Sequence, residues 1–283
     1  MDHDSGTLRT FAESVLLGGT LAEKLRRPPG GISDEDPVPA ETPLAPGRSP
    51  EIAIETDAKR KKRVPPVEGM PDPSQRVRIV HSLMNHELQA VEMFAWAILR
   101  FPDAPRAFRN GLLAILAEEQ KHFDLYRVCL ERLGARFGQW PLSGYFWSKA
   151  QCLDTPSRFV AAMCLTFESA NLDHSLDLEA AAAAAGDDEL ARALRVVHED
   201  ELGHVRFGWK WLSAFKPDAQ TTTEAYLENV VWPLRPVLAR GPTLHRESRE
   251  RAGLDAEFID LLEEAARPKA LYRFEKPPAK ENS

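Results

Sequence analysis

Between about Gln75 and Phe215 apolar residues recur at steps of three and four, the period of helices that bury one stripe, and the alternation of strands almost vanishes. The breaks in this pattern divide it into four long helices. The first spans about 75–100 and stops at Phe101-Pro102-Asp103-Ala104-Pro105, where Asp103 is expected to cap a second helix that reaches about Leu133-Gly134. A connection of roughly 20 residues follows, carrying Phe137, Trp140, Tyr145, Phe146 and Trp147; it is too long for a hairpin loop and is expected to cross over the helices. Thr155-Pro156 opens the third helix, which ends at Gly186 after the alanine run 180–185. Asp187 or Asp188 caps the fourth, which runs to about Phe215.

The flanks are less regular. Residues 7–26 predict one or two short amphipathic helices interrupted at Gly18-Gly19, and 27–74, with Pro37-Val38-Pro39 and Pro65-Pro66, predicts an extended or partly disordered arm. Residues 222–240, broken around Pro233 and Pro236, and 254–266 predict two further helices. The expected division is therefore an N-terminal segment and arm (1–74), a helical bundle (75–215) and a packed C-terminal extension (216–283).

Each bundle helix carries acid where its stripe should be apolar. The first presents Val80, Met84, Glu87, Val91, Phe94 and Ile98; the second Leu112, Ile115, Glu119, His122, Tyr126 and Cys129. The third presents Ala161, Leu165, Glu168, Leu172 and Ser175; the fourth Leu190, Leu194, Val197, Glu201, His204 and Gly208. A buried carboxylate without a partner costs several kcal/mol, so four aimed at one core require cations or protons. Glu87 and Glu119 each lie 16 residues from Asp103, and Glu168 and Glu201 straddle the third turn by 33 residues. At 1.5 Å per residue both pairs sit roughly 24 Å from their turns, so the two hairpins match in depth. The duplicated pattern, Glu followed by Glu-x-x-His, is the ligand set of di-iron and di-manganese carboxylate bundles. It predicts two metal ions, with Glu119 and Glu201 bridging, Glu87 and Glu168 terminal, and His122 and His204 holding one ion each. Carboxylate and imidazole without thiolate favour iron, with manganese or zinc as alternatives. The competing reading is a buried Glu–His ion-pair network. His86, Glu92, Glu118, His174, His198, Glu199 and Asp200 fall off the stripes and are expected to be solvated or to pack on the flanks, with His198 the best candidate to support a ligand.

A net charge of −7 argues against broad capture of nucleic acid or anionic lipid, and the run Lys59-Arg60-Lys61-Lys62-Arg63 is read as a solvated charge cluster. Cys129, Cys152 and Cys164 are too few and too irregular for a disulfide framework. No apolar run approaches the roughly 18 residues of a membrane span, and the expectation is a cytoplasmic protein.

The stretches His86-Glu87-Leu88-Gln89-Ala90-Val91-Glu92, Phe101-Pro102-Asp103-Ala104-Pro105, Glu118-Glu119-Gln120-Lys121-His122-Phe123 and Asp200-Glu201-Leu202-Gly203-His204-Val205 resemble a bacterial ferritin-like family catalogued as domain of unknown function 455. Leu8-Arg9-Thr10-Phe11-Ala12-Glu13 and Arg246-Glu247-Ser248-Arg249 belong to the same resemblance. It implies an all-α, ferritin-like four-helix bundle with a long crossover between its second and third helices and helical extensions at both ends. Where Glu-Ala-Arg-Gly-Leu-Asp is expected, this chain reads Glu168-Ser169-Ala170-Asn171-Leu172-Asp173, so pocket polarity is expected to differ there. The function the ligand set predicts is a non-haem di-iron oxidoreductase of oxidase or oxygenase type, which activates oxygen or peroxide and acts on a small molecule with electrons from a separate donor. tRNA stays open as a minor substrate branch. Ferritin-like iron handling by ferroxidase action and a metal-stabilised interaction protein are the alternatives.

Overall fold

A computed structural model of the chain describes residues 6–34, 42–57 and 63–266; Pro37-Val38-Pro39 and the first four residues of the basic run 59–63 lie outside them. Among the described residues all regular structure is helical, and extended pairing is confined to two isolated bridges, Thr7 with Ser33 and Ile54 with Leu142. No helix among them is long and apolar enough to cross a membrane. Two short helices, α1 (Leu8–Leu17) and α2 (Leu21–Lys24), precede the long α3 (Pro73–Arg100) and α4 (Arg106–Arg132). Then come α5 (Pro156–Ala162), a π-helical turn (Met163–Phe167), α6 (Glu168–Ala184), α7 (Asp188–Phe215), α8 (Thr222–Asn229), α9 (Arg246–Arg251) and α10 (Ala256–Ala265). The chain forms two compact units, Met1–Asp154 with Asp177–Val197 and Thr155–Leu176 with His198–Ser283, so that α6 and α7 each give residues to both.

In the first unit Met84 and Leu88 of α3, Phe123, Tyr126 and Cys129 of α4, Ala182 of α6 and Leu190, Leu194 and Val197 of α7 share one buried core. Four helices thus contribute to this core, three of them through stripe residues read from the sequence and α6 through Ala182. Asp187 caps α7 through the Leu190 N–H (3.2 Å) and pairs with Arg76 and Arg132. Gly134 and Gly186 end their helices with φ of 76° and 74°, a conformation that costs glycine nothing.

The chain before α3 is fastened to it by buried ions. Glu92 accepts from Lys24 Nζ (2.9 Å), Arg48 Nε and Nη2 (2.8 Å each) and Trp147 Nε1 (2.9 Å). Lys24, fully buried, also donates to the last carbonyls of α1, Val15 and Leu16. Burial lowers its pKa, and Glu92 opposes that shift. Arg109 of α4 joins Asp34 to the carbonyls of Ile98 and Phe101 at the end of α3. Glu92 is therefore neither solvated nor a flank residue, contrary to its off-stripe position, because a second apolar layer covers that face of α3.

The connection after α4 lies along α3 within this unit. His81 Nε2 accepts from the Gly138 N–H (3.1 Å), Asn85 Nδ2 donates to Ser143 O (2.9 Å) and Gln89 Oε1 accepts from the Phe146 N–H (3.1 Å). With Glu92 and Trp147 this makes one helix face, stepping by four, four and three, that follows the connection in order. His81 stacks on Phe137 and meets Trp140 edge-on, and burial lowers its pKa to about 4.

In the second unit Thr155 accepts from the Arg158 N–H (3.2 Å) as the N-cap that the sequence predicts. Asp173 and Arg249, both fully buried, form a bidentate pair (2.7 and 3.0 Å), and Asp173 also accepts from the backbone N–H groups of Gly241 and His245. Phe258 of α10 fills the space between Trp209 and Tyr226, with ring centroids 5.0 and 4.8 Å apart.

Two local expectations are corrected and one short helix is added. Asp103 does not cap α4: Pro105 holds the cap position itself, and a proline disfavours helical backbone at the Ala104 before it. Residues 222–240 are helical only to Asn229, with one 3-10 turn at Pro236–Ala239, since prolines 233 and 236 lack the N–H that a helix needs. The six-residue α9 escapes an apolar-period search because only Ser248 and Arg249 of it are buried.

Glu92→Ala leaves Lys24 and Arg48 buried without their carboxylate, and unfolding in urea should show a loss of about 3–5 kcal/mol. Because the folded pKa of His81 is depressed, its contribution is complete above the unfolded value of 6.5 and is lost as pH falls toward about 4. The loss should reach roughly 3 kcal/mol, and a His81→Phe protein should show a correspondingly flatter stability profile over that window.

Candidate metal centre

Glu87 is presented by α3, and Glu119 and His122, one turn apart, by α4. All three are buried, with Glu119 and His122 at 0% exposure. His122 Nδ1 lies 3.4 Å from Glu119 Oε2 and 3.9 Å from Glu87 Oε2. One donor atom from each residue falls within 4.8 Å of the other two.

The second unit repeats the arrangement. Glu168 opens α6 straight after the π-helical turn, and Glu201 and His204 lie one turn apart on α7; all are at most 5% exposed. His204 Nδ1 is 3.0 Å from Glu201 Oε2, and the donor atoms of Glu168, Glu201 and His204 again fall within 4.8 Å of one another. Each of the six residues read from the sequence thus sits in a buried Glu-Glu-His triad within its unit.

Two carboxylates 4 Å apart repel by about 4 kcal/mol even at an effective dielectric of about 20, and burial raises the cost of keeping them charged. A triad with two acids and one imidazole brings more negative charge than it can neutralise, so it calls for protons or a cation. The spacing suits a cation. Donors bonded at ~2.1 Å to one ion stand ~3 Å apart at right angles and up to ~4.2 Å apart when opposed, a range that brackets the 3.0, 3.4 and 3.9 Å separations. Carboxylate oxygen with imidazole nitrogen is a donor set for iron, manganese or zinc.

Several supporting residues were hidden from sequence reasoning. Asn171 Nδ2 donates to Glu201 Oε1 (2.9 Å), leaving Oε2 on the His204 side. Asn171 stands where the family resemblance leads one to expect glycine, and that departure was its only signal. His198 does pack against this region, but its ring nitrogens meet Ser175 Oγ (3.0 Å) and Ser248 Oγ (3.3 Å). Thr166, in the π-helical turn, donates to Ala161 O (2.8 Å) and shares a hydrogen bond with the buried Tyr226 hydroxyl (3.0 Å), whose pKa burial raises. His86, His174 and Glu199 are exposed, as expected.

The approach of α7 to this turn depends on Gly208, one helical turn beyond His204, against Cys164, one turn before Glu168. A side-chain carbon at 208 would fall well inside contact distance of Cys164 Cβ and 3.2 Å from Leu165 Cγ. Gly208→Ala should therefore destabilise the protein by about 1–3 kcal/mol. Adding Cys164→Gly should recover more than additivity allows, with a coupling of about 1 kcal/mol or more in a double-mutant cycle read by thermal or urea unfolding; strict additivity would rule out this contact as the constraint.

An uncharacterized protein of Haemophilus influenzae is 25% identical over 194 residues, covering 65% of this chain and 67% of that protein. No solved structure matches. The family model described as "Protein of unknown function (DUF455)" matches residues 12–260, a span that holds both triads, Asn171 and the Asp173–Arg249 pair. The chain therefore belongs to the DUF455 family.

Proposed function

We propose that the two triads are halves of one dinuclear metal centre in a ferritin-like four-helix bundle, and that the protein is a non-haem oxidoreductase that activates oxygen or peroxide, with iron as its metal. The observation that carries this reading is the repetition of a buried Glu-Glu-His triad, each with its second Glu and its His one turn apart on a single helix. Support comes from the core of the first unit. Leu88, Phe123 and Val197 belong to it. Glu87 lies one turn after Met84 of the same core, Glu119 one turn before the second and Glu201 one turn after the third, so the carboxylates continue the same stripes.

In this reading the six residues would hold the two ions, with Glu119 and Glu201 shared between them, Glu87 and Glu168 as the terminal carboxylates, and His122 and His204 each given to one ion. When bound, the metals supply one-electron redox steps and Lewis acidity. The chain's own contribution is to orient and to exclude water. Asn171 fixes the carboxylate plane of Glu201 through Oε1. Leu88, Phe123, Leu165 and Leu172, all fully buried, keep the adjoining layers dry, which strengthens each charge interaction.

Protein purified without added metal should contain about two iron atoms per chain, the number such bundles hold. Loading with ferrous ion without air, followed by an oxygen pulse, should give a visible absorbance change together with oxygen uptake. Glu119→Ala and Glu201→Ala should each lower the metal content at least by half. Full metal content in both variants would sink the ligand assignment, metal inert to oxygen would sink the redox reading, and oxidation of many irons per chain without another substrate would replace it by iron handling.

A further inference from the structure

A polar pocket lies in the first unit, on a face of α3 other than the one that carries Glu87. Its volume is about 60 Å³, several times the roughly 10–15 Å³ one water needs, and it is lined by Val64, Arg78, His81, Ser82, Asn85, Trp140, Pro141 and Ser143. Arg78, His81, Ser82 and Asn85 occupy one stripe of α3, so a rigid helix sets their spacing.

The hydrogen bonding of this wall is incomplete in a specific way. Asn85 is 3% exposed; its Nδ2 is spent on Ser143 O, while its Oδ1 is buried without a hydrogen-bond partner. A buried acceptor left unsatisfied costs about 1–3 kcal/mol, so the wall favours a guest that carries a hydrogen to give. His81 accepts at Nε2 from the Gly138 N–H, which puts the proton of the neutral ring on Nδ1 as a donor. Arg78 is held by one bond, from Nη2 to Arg63 O (2.6 Å), and forms no ion pair among the described residues, so its charge is available. Trp140, Pro141 and Val64 offer apolar surface to a short carbon skeleton.

We propose that this pocket binds a small carboxylate that bears its own hydroxyl group, a short 2-hydroxy acid, with the carboxylate on Arg78 and the His81 Nδ1–H and the hydroxyl hydrogen given to Asn85 Oδ1. A simple carboxylate satisfies the cation but leaves Asn85 wanting. An uncharged hydroxy ester does the reverse. The site is separate from the triads and does not depend on metal.

Glycolate, acetate and methyl glycolate serve as probes, titrated into the full chain by calorimetry and by the ring-nitrogen shifts of His81. Glycolate should bind at least about tenfold more tightly than either of the others, a factor set by one satisfied polar contact. Asn85→Leu should reduce glycolate to the acetate level while leaving acetate unchanged. Arg78→Gln, a half-exposed position that does not threaten the fold, should weaken glycolate about tenfold or more and leave methyl glycolate unaffected. Absence of glycolate binding at tens of millimolar, equal affinity for glycolate and acetate, or unchanged glycolate binding in Arg78→Gln would each overturn the proposal.

Discussion

A charge inside an apolar helix layer must find its opposite, and most of this molecule's connectivity follows from that requirement. Glu92 finds Lys24 and Arg48, Asp173 finds Arg249, Asp187 finds Arg76 and Arg132, and Arg109 finds Asp34. Each match brings together parts of the chain far apart in sequence. The triads stand apart from these pairs in composition, since each sets two carboxylates against a single imidazole that is charged only when protonated. Arginine and lysine lock structure, whereas an excess of acid with imidazole is a group that could hold a metal ion. That difference separates the fastening ions of the fold from the candidate chemistry.

The stripes were legible because burial and period coincide. Every residue assigned to the four inward stripes, from Val80 to Gly208, is buried, and the caps at Thr155 and Asp187 are where side-chain oxygen precedes a helical run. The acids and histidines of the triads were legible for the opposite reason, as polar residues at positions the period reserves for apolar ones. The helical period fixes which positions share a face, and the apolar character of that face marks it as the one that packs.

Two of the residues that escaped depend on a partner distant in sequence. Glu92 looks like a flank residue until the chain around Lys24 and Arg48 covers it. Asn171 looks like a neutral surface amide until Glu201 is set beside it. The π-helical turn at Met163–Phe167 adds a residue to one helical turn without breaking the apolar run, so no periodicity search registers it, although Thr166 and Gly208 mark where it is accommodated. Proline moved the cap of α4 to Pro105, and the break expected around Pro233 and Pro236 begins already after Asn229.

The N-terminal stretch also carries a lesson about how the chain can be divided. Lys24, Asp34 and Arg48 supply the counter-charges of α3 and α4, and Gln120, next in sequence to Glu119, donates to the carbonyls of Lys24 and Arg26. That stretch works as a strap whose buckles are ionic, and the helices beneath are not a self-sufficient module. A shortened chain that begins at α3 would leave Glu92 and Arg109 without the opposite charges that balance them, and minimal versions of this protein must therefore trim charges in matched pairs or keep the strap.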